Sequence, residues 1–260
     1  MDLESLFSVD GKTAVVTGGS RGIGLMIAEG LVRSGVKVYI SSRKAQVCEE
    51  QAARLAEFGT CIAIPADLSS AEGVASLADA VKEREDRLDI LINNAGATWG
   101  APLLDYPDDA WDKVLATNVK AVFELTAALV PLLEAAASPE DPARVVNIGS
   151  IDGIRVPDTE NYAYAASKAA VHMVTRQTAH RLTAKNITVN AIAPGPFPSK
   201  MMAFILDADG GEEMVASTVP LKRIGRPDDV VGTVLFLTSR AGSYLTGAII
   251  PVDGGISTRG

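Results

Sequence analysis

The chain has 260 residues, of which 47% are hydrophobic, and its formal net charge is −8. This length and composition can bury the core of one compact domain, and the acidic balance argues against a nucleic-acid partner, which needs a basic surface. No stretch approaches the roughly 20 apolar residues of a membrane span, and the first residues lack the apolar run of a secretion signal. Two cysteines, Cys48 and Cys61, fit a reducing compartment. We therefore expect a cytoplasmic protein in which both are small buried side chains, with a redox role as the alternative.

Short apolar runs alternate with helical patterns along the chain. The predicted strands cover 12–17, 36–41, 61–65, 89–93, 144–149, 187–192 and 248–252. The predicted helices cover 23–34, 45–58, 71–85, 162–183 and 227–238, and two helical stretches fill 108–137 with a kink at Pro131. Because the strands are continuously apolar and alternate with helices, the pattern predicts an α/β fold: a single-domain Rossmann-type doubly wound parallel sheet with helices on both faces.

A glycine-rich turn joins the first predicted strand to the first predicted helix. It runs from Thr17 through Gly18, Gly19, Ser20, Arg21, Gly22 and Ile23 to Gly24. Glycine permits a tight turn and close approach of the backbone to a pyrophosphate, and the helix N-terminus supplies N–H donors. An ordinary strand-to-helix connection is the alternative, but the strand before and the helix after favour a dinucleotide site. We expect the dinucleotide-binding half at about 1–150 and the catalytic and substrate part at about 150–260 of one domain, 1–260.

The end of the second predicted strand indicates which dinucleotide binds. An NAD site places an acid there to bind the ribose hydroxyls, whereas this chain has Ser42, Arg43 and Lys44. The Arg43 guanidinium can bind a 2′-phosphate through two hydrogen bonds, and Arg21 can face it from the glycine turn. Solvated surface bases are the alternative interpretation. The pattern favours NADP(H) as the cofactor.

Tyr164 and Lys168 open the long helix predicted over 162–183. Residues four apart lie on one helix face, so a phenol and an ammonium are neighbours there. A positive charge a few Å away is expected to lower the pKa of a tyrosine from about 10 toward neutrality, as a general acid requires. Tyr162 has no lysine four residues on. The alternative is that Tyr164 and Lys168 are an exposed pair without a catalytic role. The motifs elsewhere in the chain argue against that alternative.

Taken together, these motifs resemble the short-chain dehydrogenase/reductase family, and within it the NADPH-dependent β-ketoacyl reductases of the rhamnolipid-pathway type. The resemblance covers nearly the whole chain. It is carried by the glycine turn, Asn93-Asn94-Ala95-Gly96, Ser150, Tyr164 with Lys168, Ala193-Pro194-Gly195 with Phe197-Pro198-Ser199, and the closing Thr246-Gly247 and Val252-Asp253-Gly254-Gly255.

The resemblance implies a catalytic role for four residues. Tyr164 would protonate the carbonyl oxygen during reduction, and Lys168 would lower the Tyr164 pKa and bind the nicotinamide ribose. Ser150 would hold the substrate oxygen. Asn118 would anchor a water that relays protons to Lys168.

The same resemblance implies which further residues contact NADP(H). Asp67 and Leu68 follow the third predicted strand, where Asp67 would contact the adenine. The remaining contacts would come from Gly18, Ser20, Arg21, Gly22, Ile23, Gly24, Ser42, Arg43, Asn94, Ala95, Gly96, Tyr164, Lys168, Pro194, Gly195, Phe197 and Ser199.

The expected substrate pocket is apolar and covered by a lid over 197–220, in which Gly210 and Gly211 allow movement. Its expected walls are Trp99, Ile151, Ile154, Val156, Phe197, Met201, Met202, Phe204 and Ile205. Asp152 and Arg155 are polar groups in the same region that could bind a polar substrate instead. His172 and His180 are expected to be partly exposed helix positions without a catalytic role.

These observations predict an NADPH-dependent oxidoreductase that reduces a ketone, with a 3-oxoacyl thioester as the leading substrate. A sugar, polyol or other secondary-alcohol dehydrogenase on the same scaffold is the alternative, and a non-catalytic dinucleotide-binding sensor is a remote one. The partner is a small-molecule carbonyl or alcohol substrate, with no nucleic acid, membrane or metal. The resemblance implies a homotetramer.

Overall fold

The strands and helices follow the alternation seen in the sequence. The structure is a computed structural model that describes residues 2–199, 202–203 and 208–258. Its strands are β1 (Thr13–Thr17), β2 (Lys37–Ser41), β3 (Cys61–Ala63), β4 (Ile90–Asn93), β5 (Ala143–Ile148), β6 (Ile187–Pro194) and β7 (Ile249–Val252). Its helices are α1 (Leu3–Phe7), α2 (Gly22–Arg33), α3 (Ala45–Leu55), α4 (Ala71–Lys82), α5 (Asp108–Leu115), α6 (Ala121–Ala136), α7 (Tyr162–Leu182), α8 (Gly211–Thr218) and α9 (Pro227–Thr238).

All neighbouring strands pair in parallel and form one seven-stranded sheet in the order β3-β2-β1-β4-β5-β6-β7. The chain reverses its direction of travel across the sheet between β3 and β4, so β1 and β4 lie side by side at the switch point. In sheets of this kind, ligands bind outside the carboxyl ends of the strands at that point. The predicted doubly wound parallel sheet is confirmed.

Each face of the sheet carries its own apolar core. In β1, Ala14 and Val16 belong to the core formed with α2, α3 and α9, while Val15 belongs to the core formed with α4 and α6. Alternate side chains of a strand point to opposite faces, so a strand covered on both faces must be apolar throughout. This explains why the strands appear in the sequence as continuous apolar runs.

A buried chain of polar side chains crosses the centre of the sheet. Asn93 Nδ2 donates to Thr126 Oγ1 at 3.0 Å and to Asn147 Oδ1 at 2.9 Å, and Asn147 Nδ2 donates to Thr175 Oγ1 at 2.9 Å. Asn93 and Asn147 are register partners in β4 and β5, while Thr126 lies on α6 and Thr175 on α7. All four are buried. The chain therefore fixes both helices against the carboxyl ends of two central strands.

The structure differs from the sequence prediction at the helices over 108–137. The interruption between them is a π-helical turn over Ala116–Lys120, whereas Pro131 lies inside the continuous helix α6. The two helical stretches therefore meet at the π-helical turn, and the kink at Pro131 stays a prediction. Helix α1 was not predicted at all. Cys48 and Cys61 are both buried free thiols, as expected, and burial raises the pKa of Cys61 to about 12.

Replacing Thr175 with valine should leave the Asn147 Nδ2 group buried without its acceptor. We expect Thr175→Val to lower the free energy of unfolding by about 1–3 kcal/mol. Thr178→Val is the matched control, because the Thr178 hydroxyl donates only to carbonyls of its own helix, and its expected loss is under about 1 kcal/mol. Urea unfolding at one protein concentration measures both. Equal losses in the two variants would contradict the proposed importance of the network.

Candidate active site

The turn between β1 and α2 is built around glycines, which suit its backbone angles and its close packing. Gly18 and Gly22 have positive φ angles of 64° and 53°. A Cβ on Gly24 would overlap the carbonyl oxygen of Gly18. The backbone therefore closes tightly at the N-terminus of α2 and leaves a cradle free of side-chain atoms, which fits a pyrophosphate group.

The loop after β4 is fastened to this glycine turn. Thr17 Oγ1 accepts hydrogen bonds from the backbone N–H groups of Asn94 and Ala95, both at 2.9 Å. Asn94 Nδ2 donates to the carbonyl oxygens of Thr17 at 2.9 Å and Gly18 at 3.2 Å. The structure thus brings together two segments that the sequence assigned to one cofactor.

The ends of β2 and β3 lie together at the other end of the cradle. Burial alone would raise the pKa of Asp67, but hydrogen bonds from the N–H and hydroxyl of Ser69 prevail, and the nearby charge of Arg43 lowers it further. Arg43 is exposed, as is Arg21 at the N-cap of α2, and Ser42 is half-buried. Both guanidinium groups are therefore accessible to an anionic ligand such as a ribose 2′-phosphate. Leu68 and Ser20 are buried.

The predicted catalytic lysine is buried at the end of β5. Lys168 is 5% exposed, and its Nζ donates to the Ile148 carbonyl oxygen at 2.8 Å. The Nζ atom lies 5.5 Å from the centre of the Tyr164 ring. A Cβ on Gly96 would come within 3.8 Å of that Nζ atom, so the loop after β4 reaches the catalytic pair. Ser150 lies two residues past the end of β5 and is also buried.

Asn118 lies in the π-helical turn, and its side chain is fully engaged with the protein. Its Oδ1 accepts from the Ala97 N–H at 2.7 Å, and its Nδ2 donates to the Ala97 carbonyl and the Ser167 hydroxyl, both at 2.9 Å. Ser167 precedes Lys168 on α7. The Asn118 side chain therefore joins the loop after β4 to the catalytic helix.

The protonation of the pair differs from the expectation based on spacing. Burial raises the pKa of Tyr164 to about 12; the Ser150 side chain lowers it and the Asp152 charge raises it. Burial lowers the pKa of Lys168 to about 8, while Asp152 raises it. The predicted lowering of the Tyr164 pKa by Lys168 is thus wrong for these residues alone, because desolvation of the phenolate dominates. Tyr164 carries its proton at neutral pH, as a general acid must.

The segment after β6 arches over the glycine turn. The N–H of Gly195 donates to the Val252 carbonyl at 3.0 Å, and the N–H of Gly225 donates to the Pro196 carbonyl at 2.8 Å. A Cβ on Gly22 would lie 3.3 Å from the Cβ of Ser199. Phe197 is 2% exposed, and its ring packs on Gly225 in the core. The ring is therefore shielded from solvent, and the expectation that Phe197 lines the substrate pocket stays a prediction.

The expected pocket walls fall into four groups. Trp99, Ile154 and Val156 are exposed, whereas Ile151 is buried against Val219 and Ile256. Met202 is half-buried. Met201, Phe204 and Ile205 lie outside the described residues.

The sequence analysis misjudged the burial of one residue near the site, His172, and did not single out another, Tyr106. His172 is 5% exposed rather than partly exposed, and a Cβ on Gly153 would lie 2.9 Å from its Cε1, so the imidazole fills the space beneath the loop after β5. Lys168 lies four residues earlier on the same helix face, and this spacing was the signal in the sequence that His172 lies near the site.

The Tyr106 hydroxyl donates to the Trp99 carbonyl at 3.2 Å and accepts from the Ala163 N–H at 3.3 Å. It thereby holds the loop after β4 to the start of α7. His180 is exposed.

Other kinds of site find no support in the part of the chain that the structure describes. Across residues 2–199, 202–203 and 208–258, no group of three or more His, Cys, Asp or Glu side chains is placed to hold a metal ion. None of the described helices combines the length and apolar character needed to cross a membrane.

Comparison with known proteins gives matches along almost the whole chain. The profile described as enoyl-(acyl carrier protein) reductase matches residues 18–257. The rhamnolipid-biosynthesis 3-oxoacyl-[acyl-carrier-protein] reductase of Pseudomonas aeruginosa is 49% identical over 96% of this chain and 97% of its own. The 5-keto-D-gluconate 5-reductase of Escherichia coli is 31% identical over 98% of each chain. The structure of the Pseudomonas aeruginosa RhlG/NADP active-site complex superimposes with a TM-score of 0.95 at 48% identity, covering 97% of this chain and 99% of the other.

Arg43 is the charge expected to select the phosphorylated dinucleotide. We expect NADPH to be preferred over NADH by at least about tenfold in kcat/KM, since a bidentate arginine–phosphate pair contributes about 1.5–3 kcal/mol. Arg43→Asp should erase or reverse this preference. Lys82→Asp, the same charge change on the exposed end of α4, should not. Equal use of both cofactors by the wild-type enzyme would show that the end of β2 does not select the 2′-phosphate.

Proposed function

Because the chain belongs to the short-chain dehydrogenase/reductase family, we propose that it is an NADPH-dependent reductase that converts the ketone of a 3-oxoacyl thioester to a secondary alcohol. The observation that carries this proposal is the convergence of Ser150, Tyr164 and Lys168 beside the glycine cradle. The 49% identity to a 3-oxoacyl-[acyl-carrier-protein] reductase over nearly the full length of both chains supports the substrate class.

The cradle fits NADP(H), whose nicotinamide supplies the hydride when it is bound. In the proposed reaction the ketone carbon accepts the hydride while Tyr164 gives its proton to the ketone oxygen. The Ser150 hydroxyl holds that oxygen in place. The buried ammonium of Lys168, on the next turn of α7, stabilises the phenolate that Tyr164 becomes when it gives up its proton. Asn118 fixes the loop that borders the pair, and a water near it would carry the replacement proton.

We propose that the remaining contacts with NADP(H) follow the order of the strands. The residues after β1, Gly18, Ser20, Arg21, Gly22, Ile23 and Gly24, hold the pyrophosphate and one side of the 2′-phosphate. Ser42 and Arg43 bind the other side of the phosphate, and Asp67 and Leu68 border the adenine. Asn94, Ala95 and Gly96 border the ribose. Pro194, Gly195, Phe197 and Ser199 border the nicotinamide, where Phe197 contributes its backbone because its ring is buried.

A sugar or polyol dehydrogenase is the second candidate, and a specific observation favours it. Asp152 and Arg155 stand beside the catalytic residues, and a relative that is 31% identical reduces 5-keto-D-gluconate by its name. The exposed apolar side chains of Trp99, Ile154 and Val156 favour the acyl substrate instead. A sensor without turnover would not need Ser150, Tyr164 and Lys168 together.

The proposal extends to assembly and location. We propose a cytoplasmic homotetramer in which α5–α6 and α7 pack on their symmetry mates and β7, the edge strand of the sheet, forms the other contact. Within each subunit, one domain over 1–260 would divide into a dinucleotide-binding half at about 1–150 and a catalytic and substrate part at about 150–260.

The Tyr164 hydroxyl is the proposed proton donor, so its removal should stop turnover without preventing cofactor binding. We expect Tyr164→Phe to retain NADPH binding by fluorescence and to lose at least about 100-fold in kcat. Tyr162→Phe is the matched control on the same helical turn, because the Tyr162 hydroxyl contacts Glu160 rather than the catalytic pair. It should change kcat by less than about threefold. Near-normal turnover by Tyr164→Phe would refute the assignment.

The length of the acyl chain should affect the reaction if the exposed apolar walls receive it. We expect each added methylene to raise kcat/KM over short chains by up to about fourfold, which corresponds to about 0.8 kcal/mol per buried CH₂. A series of 3-oxoacyl thioesters of increasing length, run beside keto-sugars and polyols, measures this. Flat activity across the series with faster turnover of a keto-sugar would favour the second candidate.

A further inference from the structure

A carboxylate stands next to the proposed catalytic residues without being one of them. Asp152 is the second residue after Ser150, and its backbone N–H donates to the Ser150 hydroxyl at 3.1 Å. Its Oδ2 accepts a hydrogen bond from Asn161 Nδ2 at 3.1 Å, and Asn161 is the N-cap of α7. Two bonds therefore hold Asp152 between the loop after β5 and the start of the catalytic helix.

The turn that contains Asp152 lies directly on α7 at the catalytic lysine. A Cβ on Gly153 would come within 2.6 Å of the carbonyl carbon of Lys168 and 2.7 Å of the Ala169 nitrogen. Only glycine allows so close an approach of two backbones. Asp152 is thus fixed within reach of Lys168 and Tyr164, and it is half-buried, where solvent screens its charge less than at the surface.

The other charged groups around this turn are directed elsewhere. Arg155 pairs with Asp158 at 3.9 Å, and Glu160 accepts from the Leu103 N–H and the Tyr162 hydroxyl. On α7, burial lowers the pKa of His172, with the charges of Lys168 and Arg176 adding to this, so the imidazole is neutral at neutral pH.

Of the residues that the structure describes, those on the elements packed against the pair from the other sides bring no charge to it. Ser150, Asn118 and Gly96 are the groups that face it from the ends of β5 and β4 and from the π-helical turn. Among the described residues, Asp152 carries the charge that raises the pKa of both Tyr164 and Lys168. Burial acts in the same direction on the pKa of Tyr164 and in the opposite direction on that of Lys168.

We propose that Asp152 is a positioning residue that keeps the Tyr164–Lys168 pair protonated toward alkaline pH, with Asn161 holding its carboxylate in place. The inference rests on the proposed reductase function. A negative charge near the pair stabilises the ammonium of Lys168 and disfavours the phenolate of Tyr164. Reduction consumes the Tyr164 proton, so an active site that retains protons longer extends the pH range of reduction upward.

The sign of the expected change follows from the loss of that charge. Without the carboxylate, Lys168 and Tyr164 both release their protons at lower pH. The alkaline limb of the reduction profile should therefore move to lower pH, by about one pH unit for a single half-buried charge. In the oxidation direction, where the phenolate takes up the proton, the rising limb should move to lower pH by the same amount.

The test is the dependence of kcat/KM on pH between 6 and about 10 for Asp152→Asn, with 3-oxodecanoyl thioester and saturating NADPH. Asparagine keeps an oxygen that can accept from Asn161, so the turn is preserved while the charge is removed. Asp158→Asn makes the same change on a side chain that is 98% exposed, and it should leave the profile in place. Asp152→Glu restores the charge and should return the alkaline limb at least halfway to its original position.

The outcomes separate a tuning role from a merely structural one. An alkaline limb that stays in place in Asp152→Asn, with or without an overall loss of rate, would overturn the inference. So would an equal displacement in Asp158→Asn. If the wild-type enzyme reduces a keto-sugar but no 3-oxoacyl thioester, the proposed substrate is wrong, and the same profiles measured with the keto-sugar still decide the role of Asp152.

Discussion

The hydrogen bond from Lys168 Nζ to the Ile148 carbonyl is the interaction on which the active site depends. It places a buried ammonium at the carboxyl end of β5, where the charge has lost most of its hydration. A buried charge is tolerated only where hydrogen bonds replace water, so α7 must stay in register with β5 for the fold to hold Lys168 there. The Thr175–Asn147 bond lower on the same helix enforces that register.

The loops after β4 and β5 also pack so that Lys168 stays at the end of β5. Gly153 lets the loop after β5 lie on the backbone of Lys168, and the imidazole of His172 fills the space beneath it. The loop after β4 is held from both sides, by Thr17 toward the cofactor cradle and by Asn118 toward α7. The glycine turn and the proposed catalytic residues are thus fixed relative to each other by hydrogen bonds between loops. This geometry suits a transfer that needs close alignment of two reactants.

The sequence predicted the sheet, the order of its elements and the groups that converge at its edge, because these follow from strong local signals. Continuous apolar runs identify strands covered on both faces, and glycines mark the turn at the N-terminus of α2. The π-helical turn around Asn118 was not predictable, since it is a pattern of backbone hydrogen bonds that residue types do not encode. Burial was misjudged at His172, where tertiary contacts outweigh the local pattern. The Tyr164 pKa was misjudged for the same reason, because spacing gave the neighbouring charge but not the desolvation.

The central claim is that this chain transfers a hydride from NADPH to the keto carbon of a 3-oxoacyl thioester. The most direct test is to supply NADPH that carries deuterium at both hydrogen positions of the nicotinamide C4, together with 3-oxodecanoyl thioester, and to analyse the product by mass spectrometry. The account predicts one deuterium at C3 of a 3-hydroxyacyl product, formed in step with NADPH consumption. Consumption of NADPH without that product, or a product that carries no deuterium at C3, would contradict it.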